Sequence, residues 1–332
     1  MKSFMFRVLH PEIYHGKHAR PPFFEGWYFK LVNSQENQRW AVIPGVFIND
    51  SAQSSHAFIQ VLNGQTGRVD YLTYPIEDFS ASADAFEIQI GPNRFTSHQI
   101  ELQILQDEIE MIGEVKFESP RPWPVSLLSP GVMGWYAWVP GMECYHGVLS
   151  FYHPLSGRLR INSENIDFSG GTGYMEKDWG QAFPSAWVWM QTNHFTSPQV
   201  CLTASIAVIP WQKRSFAGMI IGLRHEEHLY RFATYTGARV EMLRAQEHEL
   251  LWVVKGGGLR LEMRAERTQG GLLQAPTPQG MGRRISETLT ARVETRLSTL
   301  GGNTIFHETG RNAGLEAVGD LASLVHLLKL KE

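Results

Sequence analysis

From Glu287 to Leu297 the chain alternates without a break, with Leu289, Ala291, Val293, Thr295 and Leu297 on one side and Thr288, Thr290, Arg292, Glu294 and Arg296 on the other. A helix needs apolar residues every three or four positions, so this spacing specifies a strand. Short runs rich in β-branched and aromatic residues recur at 23–32, 40–48, 56–62, 68–74, 85–90, 100–105 and 109–117. Asn49-Asp50, Asn63-Gly64, Gly91-Pro92-Asn93 and Gln106-Asp107 supply turns between them. A second series follows at 135–138, 143–152, 158–168, 200–209, 216–223, 229–235, 239–243, 250–254 and 258–264. Only the tail, 321–330, reads as helix. The chain is therefore all-β, built from closely spaced antiparallel strands.

Prolines and glycines set the expected divisions. Pro11, His15, Gly16, His18, Pro21 and Pro22 make residues 1–22 an irregular lead-in. Pro120, Pro122, Pro124, Pro130, Gly131 and Gly134 suit a crossing between two halves better than a strand interior. The expected domains are 23–130 and 131–332.

Residues 171–195 concentrate the chemistry. Extended backbone over 174–181 sends Glu176 and Asp178 to one face and Met175, Lys177 and Trp179 to the other. Extended backbone over 186–195 groups Trp187, Trp189, Gln191 and Asn193. Joined at Phe183-Pro184, the two strands read as a hairpin presenting two carboxylates and two indoles to one interior. An ionised carboxylate among aromatic rings must be paired or take up a proton. Glu25 shares a strand face with Trp27 and Phe29, while Glu143 and His146 fall on opposite faces of theirs. Of the ten tryptophans, Trp123, Trp135, Trp138, Trp179, Trp187 and Trp189 cluster within 123–189.

Composition removes several classes of function. The chain has 332 residues, 43% hydrophobic and 19% charged, with a formal net charge of −3. No basic block points to nucleic acid or to an anionic membrane surface. Cys144 and Cys201 lie far apart and outside any finger spacing, which implies a reduced compartment without a disulfide framework. No signal segment, membrane span, phosphate loop, dinucleotide fingerprint, HExxH or GxSxG appears, and a cytoplasmic location is expected. His225-Glu226-Glu227-His228 fits a polar turn better than a metal site, and no metal is expected.

Five runs carry a family resemblance: PPFFEGWYFK (21–30), GWYAWVPGMECYHGVLS (134–150), GGTGYMEKDWGQAFPSAWVWMQTNHF (170–195), LLQAPTPQGMGRRISET (272–288) and AGLEAVG (313–319). In this order they resemble the tocopherol cyclase family, related to carotenoid hydratase and AttH-type proteins. The resemblance implies two lipocalin-like β-barrel domains in tandem and cofactor-independent closure of a prenylated hydroquinone to a chromanol. Plant members carry a plastid transit segment, whereas this sequence has none; a bacterial or otherwise untargeted member is expected, whose substrate need not be a tocopherol precursor.

Closing a phenol onto a trisubstituted alkene requires a proton donor, aromatic faces for the tertiary cation and exclusion of water. Asp178 or Glu176 is the leading acid and Glu25 the third candidate. Trp187 and Trp189 are candidate cation stabilisers, Gln191 and Asn193 candidate partners for the hydroquinone hydroxyls, and Trp179, Trp27, His146 and Glu143 candidate pocket residues. Each has a structural alternative. Glu176 or Asp178 can pair with Lys177, an arginine or backbone amides; Glu25 can tie the first strand to a neighbour; the tryptophans can fill a core. The expected partner is an apolar isoprenoid, with peripheral membrane contact open. A lipocalin-like carrier and a hydratase or pericyclic enzyme are the alternatives.

Overall fold

In the computed structural model, which describes residues 4–51, 54–106 and 109–330, the alternating runs form two antiparallel sheets. The first contains β1 (Phe23–Val32), β2 (Arg39–Ile48), β3 (His56–Asn63), β4 (Val69–Pro75), β5 (Phe79–Ala81) and β6 (Glu87–Ile90). It continues with β7 (Asn93–Thr96), β8 (Gln99–Gln106), β9 (Ile109–Phe117), β10 (Cys144–Ile161), β11 (Glu164–Asp167) and β12 (Thr172–Gly180). Its hydrogen-bonded order is β4-β3-β2-β1-β12-β10-β9-β8-β7-β6-β5, with β11 on β10. The second contains β13 (Trp187–Thr192), β14 (Cys201–Trp211), β15 (Arg214–His225), β16 (His228–Ala233) and β17 (Arg239–Ala245). β18 (Glu249–Gly256), β19 (Leu259–Glu266), β20 (Gly271–Thr277), β21 (Gly280–Thr299) and β22 (Thr304–Val318) complete it. Here the order is β16-β15-β14-β13-β22-β21-β19-β18-β17, with β20 on β21. Two antiparallel sheets and a short C-terminal helix are the all-β class expected, and among the described residues no strand pairing closes either sheet into a barrel.

The chain divides into two compact units, residues 1–183 with 272–284 and residues 184–271 with 285–332. The expected boundary at 130/131 falls inside the first unit. Strand pairing is the reason: β10 bonds to β9 from Leu155–Phe117 to Ile161–Met111, and β12 bonds to β1 from Phe24–Gly180 to Val32–Thr172. The proline-rich stretch thus links neighbouring strands of one sheet.

Other departures are local. Residues 135–138 belong to a 3-10 segment, Gly131–Trp138, which the left-handed Gly134 (φ 57°) kinks. The runs at 143–152 and 158–168 are the single long β10 followed by β11. The lead-in contains α1 (Phe4–Leu9) and a 3-10 turn at Gly16–His18. β5, β7, β20 and β22 have no counterpart in the sequence reading. The turn expected at Gln106-Asp107 falls partly outside the described residues. β12 and β13 do not form a hairpin, because β12 pairs with β1 and β10 whereas β13 pairs with β14 and β22. The tail helix α2 (Leu321–Leu327) is present, and the Asp320 carboxylate accepts from the Ser323 amide at 3.1 Å as its N-cap.

Each unit has its own core. In the first, Trp27, Phe29, Phe95, Met111, Phe117 and Phe168 pack together; in the second, Met190, Ile206, Phe232, Trp252, Met263 and Leu297 do. Burying each such side chain stabilises by about 1.5–3 kcal/mol. The first unit also uses the other face of its central strands, where Phe24, Phe47, Phe58 and Met281 form a second apolar cluster with Phe183 and Cys144 against it. The returning segment 272–284 is fastened there: Gln60 Nε2 donates to the Gln274 carbonyl at 2.9 Å and the Gln274 amide donates to Gln60 Oε1 at 2.7 Å.

Candidate active site

Alternation along β1 and β12 gives the first unit's sheet two chemically different faces. Glu25, Trp27 and Phe29 on β1, with Met175, Lys177 and Trp179 on β12, share one face. Phe24, Gly26, Tyr28 and Lys30, with Tyr174, Glu176 and Asp178, share the other. The register places Gly26 opposite Asp178, Tyr28 opposite Glu176 and Lys30 opposite Tyr174. On its far side β12 sets Asp178 opposite His146 and Glu176 opposite Val148. The two carboxylates and the histidine are therefore neighbours on one face, next to the Phe24–Phe47–Phe58 cluster.

His146 bridges the two acids. Its Nδ1 lies 2.8 Å from Asp178 Oδ1 and its Nε2 lies 3.6 Å from Glu176 Oε2. The Tyr174 hydroxyl donates to the same Glu176 oxygen at 2.5 Å. Burial acts to lower the imidazole pKa, but the adjacent Asp178 and Glu176 charges prevail and raise it to about 9. At neutral pH His146 is an imidazolium. The side chain of Asp178 is 25% exposed and that of Glu176 only 6%, so the chain of groups runs from a solvent-touched acid to a buried one. Cys144 Sγ lies 4.0 Å from Asp178 Oδ1, and burial followed by the Asp178 charge pushes the thiol up, keeping it neutral.

The opposite face is a closed ion pair. Lys177 Nζ meets Glu25 Oε1 at 2.5 Å, donates to the carbonyls of Pro11 (2.9 Å) and Ile13, and lies 2.8 Å from His15 Nδ1. The three N–H groups of an ammonium are shared among these four acceptors; burial lowers the Lys177 pKa while Glu25 opposes the shift, and the nitrogen also sits over the rings of Trp27 (5.0 Å) and Trp179 (4.6 Å). Glu25 accepts the His15 amide through both oxygens at 2.9 and 3.1 Å. Burial tends to raise the Glu25 pKa, yet Lys177 and the His15 hydrogen bond outweigh it and hold the carboxyl below the usual range. The His15 ring stacks on Trp179 at 4.5 Å, and its pKa is lowered by burial and then by Lys177. Glu25 is thus ionised and fully engaged, and it fastens the N-terminal segment to the sheet. Sequence reasoning missed the His15 ring and also the Pro11 and Ile13 carbonyls, whose backbone roles leave no residue signature.

The remaining candidates divide between the units. Glu143 precedes β10 in the first, half-buried; burial raises its pKa and Arg283 opposes the shift. Trp187, Trp189 and Gln191 lie in the second unit on one face of β13, while Val188 and Met190 enter that unit's core on the other. Trp187 Nε1 donates to Glu316 Oε2 at 2.5 Å, and Glu316 stands opposite both Trp189 on β13 and Glu287 on β21. Asn193 follows β13 and is buried. The structure brings together Glu176, Asp178 and His146, and separately Trp187 with Trp189 and Gln191. Tyr28, Lys30, Tyr174 and Glu316 were missed, although the period-two alternation that grouped Glu176 with Asp178 also selects Tyr174, and the same pattern pairs Tyr28 with Lys30.

His146, Glu176 and Asp178 also offer one ligand atom each within 4.8 Å of one another, enough to consider a metal ion. A metal would take one ring nitrogen together with an oxygen from each carboxylate. The imidazole here hydrogen-bonds Asp178 through Nδ1 and turns Nε2 toward Glu176 at 3.6 Å, an ion-pair distance.

The family model described as tocopherol cyclase-like matches residues 124–319. A probable chloroplastic tocopherol cyclase of Oryza sativa subsp. japonica is 25% identical over 323 residues, covering 80% of this chain and 67% of the relative. A chloroplastic tocopherol cyclase of Zea mays is 30% identical over 108 residues, 31% of this chain and 23% of that protein. Among solved structures, a putative AttH of Nitrosomonas europaea superposes with TM-score 0.55 at 12% identity, covering 92% and 98% of the two chains. CghA bound to Sch210972 gives 0.57 at 13% identity over 90% and 89%. Kievitone hydratase of Nectria haematococca gives 0.51 at 13% over 92% and 94%. At these identities the structural neighbours establish the shared lipocalin-like fold. No helix of the described residues is long and apolar enough to cross a membrane.

Proposed function

Because the chain belongs to the tocopherol cyclase-like family, we propose that it is a cyclase-type enzyme which closes a prenylated hydroquinone, or a similar isoprenoid phenol, by protonating its alkene without a cofactor. The observation that carries the reading is the Asp178–His146–Glu176 bridge on the sheet face that also bears an aromatic cluster. Two carboxyl groups and an imidazole placed to share protons form a reservoir. The proton that the imidazolium carries passes to Glu176 for each transfer to the alkene, and Asp178 returns one from solvent to the imidazole. Glu176, the more buried and fixed by Tyr174, is the proposed donor to the alkene. Asp178, which touches solvent, is the proposed entry for the next proton. The substrate hydroxyl then attacks the tertiary cation and loses its own proton, so the cyclisation is redox-neutral. Trp187, Trp189, Gln191 and Asn193 lie together in the other unit and are not drawn on for this step. Glu25, Trp27 and Trp179 act through the ion-paired face instead, positioning β1 and β12. The proposed location is the cytoplasm, with contact at a membrane surface compatible with an isoprenoid substrate.

The test is incubation of the purified protein with prenylated hydroquinones in deuterated water, followed by mass analysis. One carbon-bound deuterium in a cyclised product is expected, with turnover lost by at least about 100-fold in Glu176→Gln and Asp178→Asn while ligand binding is kept. Undiminished turnover in both variants excludes this proton path, and binding without turnover in the wild type makes the protein a carrier. A deuterated product that gained water in place of the ring would make it a hydratase, as the name of one structural neighbour describes that protein.

A further inference from the structure

Gly26 is a glycine in a strand interior, a place where glycine costs backbone entropy and contributes no packing. Its backbone is not left-handed, since it is absent from the positive-φ glycines of the chain. Packing does not demand it either. A Cβ added at Gly26 would meet nothing closer than the Pro44 carbonyl at 3.9 Å and Ile43 Cγ2 at 4.0 Å, which are ordinary contacts. Two other glycines of the same sheet differ. A Cβ on Gly45, directly across on β2, would lie 2.3 Å from the Phe58 ring, and one on Gly173 would lie 2.2 Å from the ring of His153. In those positions another side chain occupies the room that glycine leaves. At Gly26 none does.

The place of this gap matters. Gly26 lies on the face that carries the acids, opposite Asp178 on β12, and Phe24 and Tyr28 flank it along β1. Tyr28 in turn stands opposite Glu176, and its ring meets that of Tyr174 at 6.5 Å. Phe24 belongs to the apolar cluster with Phe47, Phe58 and Met281. The notch thus has carboxyl groups on one side and hydrocarbon on the other, the surroundings required by the alkene end of an isoprenoid phenol.

We infer that Gly26 is a specificity-determining residue: the notch above it, between Phe24 and Tyr28 and beside Asp178, receives the branched alkene carbon of the substrate. The inference rests on the proposed cyclase-type reading and adds to it where the reacting carbon sits. Gly26→Ala adds a methyl group that the fold accommodates, and Gly26→Val fills the notch.

The experiment compares both variants with the wild type in the full-length chain by thermal unfolding, by steady-state kinetics on prenylated hydroquinones, and by equilibrium binding of the same compounds and of the apolar dye Nile red. The expected result is an unchanged or higher Tm. In Gly26→Ala kcat/KM falls about 10- to 200-fold, mainly through KM; in Gly26→Val hydroquinone binding is lost. Wild-type activity and binding in Gly26→Val would overturn the inference. So would a lowered Tm in Gly26→Ala, because glycine would then be serving the fold. If the wild type binds the hydroquinones without turning them over, the cyclase reading fails while loss of that binding in Gly26→Val still upholds the notch. A wild type that binds neither hydroquinones nor dye overturns both.

Discussion

His146 keeps its proton because each ring nitrogen faces a carboxylate, and the two charges together overcome the cost of burying an imidazolium. This has a consequence for stability. A histidine whose folded pKa lies near 9, above an unfolded value near 6.5, contributes stability that is fully present below the unfolded value and is lost as pH rises through the folded one. The contribution is on the order of 3 kcal/mol. Urea unfolding at about pH 6 and about pH 9.5 is expected to show this loss in the wild type and to show it reduced in His146→Gln. Turnover that depends on the imidazolium is expected to decline over the same upper range. An equal pH dependence of stability in the variant would contradict the assignment of the proton to His146.

Among the elements, β12 is the decisive one, because a single alternating strand supplies both a proton-handling face and an ion-paired face. The ion pair does work on the strand's surroundings. Lys177 gathers Glu25 from β1 and two carbonyls and a ring from the N-terminal segment, so three stretches of chain meet at one ammonium. Glu25→Gln removes the counter-charge while Lys177 stays buried, and is expected to destabilise by about 3–5 kcal/mol in denaturant titration. Combining it with Lys177→Met is expected to recover part of that loss, since no uncompensated charge is then buried. A double variant as unstable as Glu25→Gln alone would show that the carbonyls, rather than the charge, govern the site. The period-two pattern made β12's two faces legible in advance. It could not show that β12 and β13 join different sheets, because strand partners are chosen by the shape of the whole chain.

At the scale of the molecule, the first unit is assembled from sequence far apart: residues 272–284 return to a unit that is otherwise complete by residue 183. Gln60 and Gln274, 214 positions apart, hold that return by two hydrogen bonds. Gln60→Ala leaves a backbone carbonyl and an amide without these partners and is expected to cost about 2 kcal/mol or more, read as a lower Tm. Met281 in the same segment completes the Phe24–Phe47–Phe58 cluster beside the acids, so this substitution is also expected to weaken substrate binding. An unchanged Tm would mean that the return is held by apolar packing alone.

The amino-acid sequence by itself determined the all-β class, most strand positions and the grouping of Glu176 with Asp178, because alternation is a local property of a pleated chain. Its long motifs also determined the family. Tertiary structure decided the rest. It placed the unit boundary at 183/184 instead of 130/131, engaged Glu25 in an ion pair, and brought His146 from another strand between the two acids. It also separated Trp187 and Trp189 from those acids by sheet. These are contacts between residues distant along the chain, fixed by strand pairing and by the need to satisfy buried charge, and no local spacing encodes them.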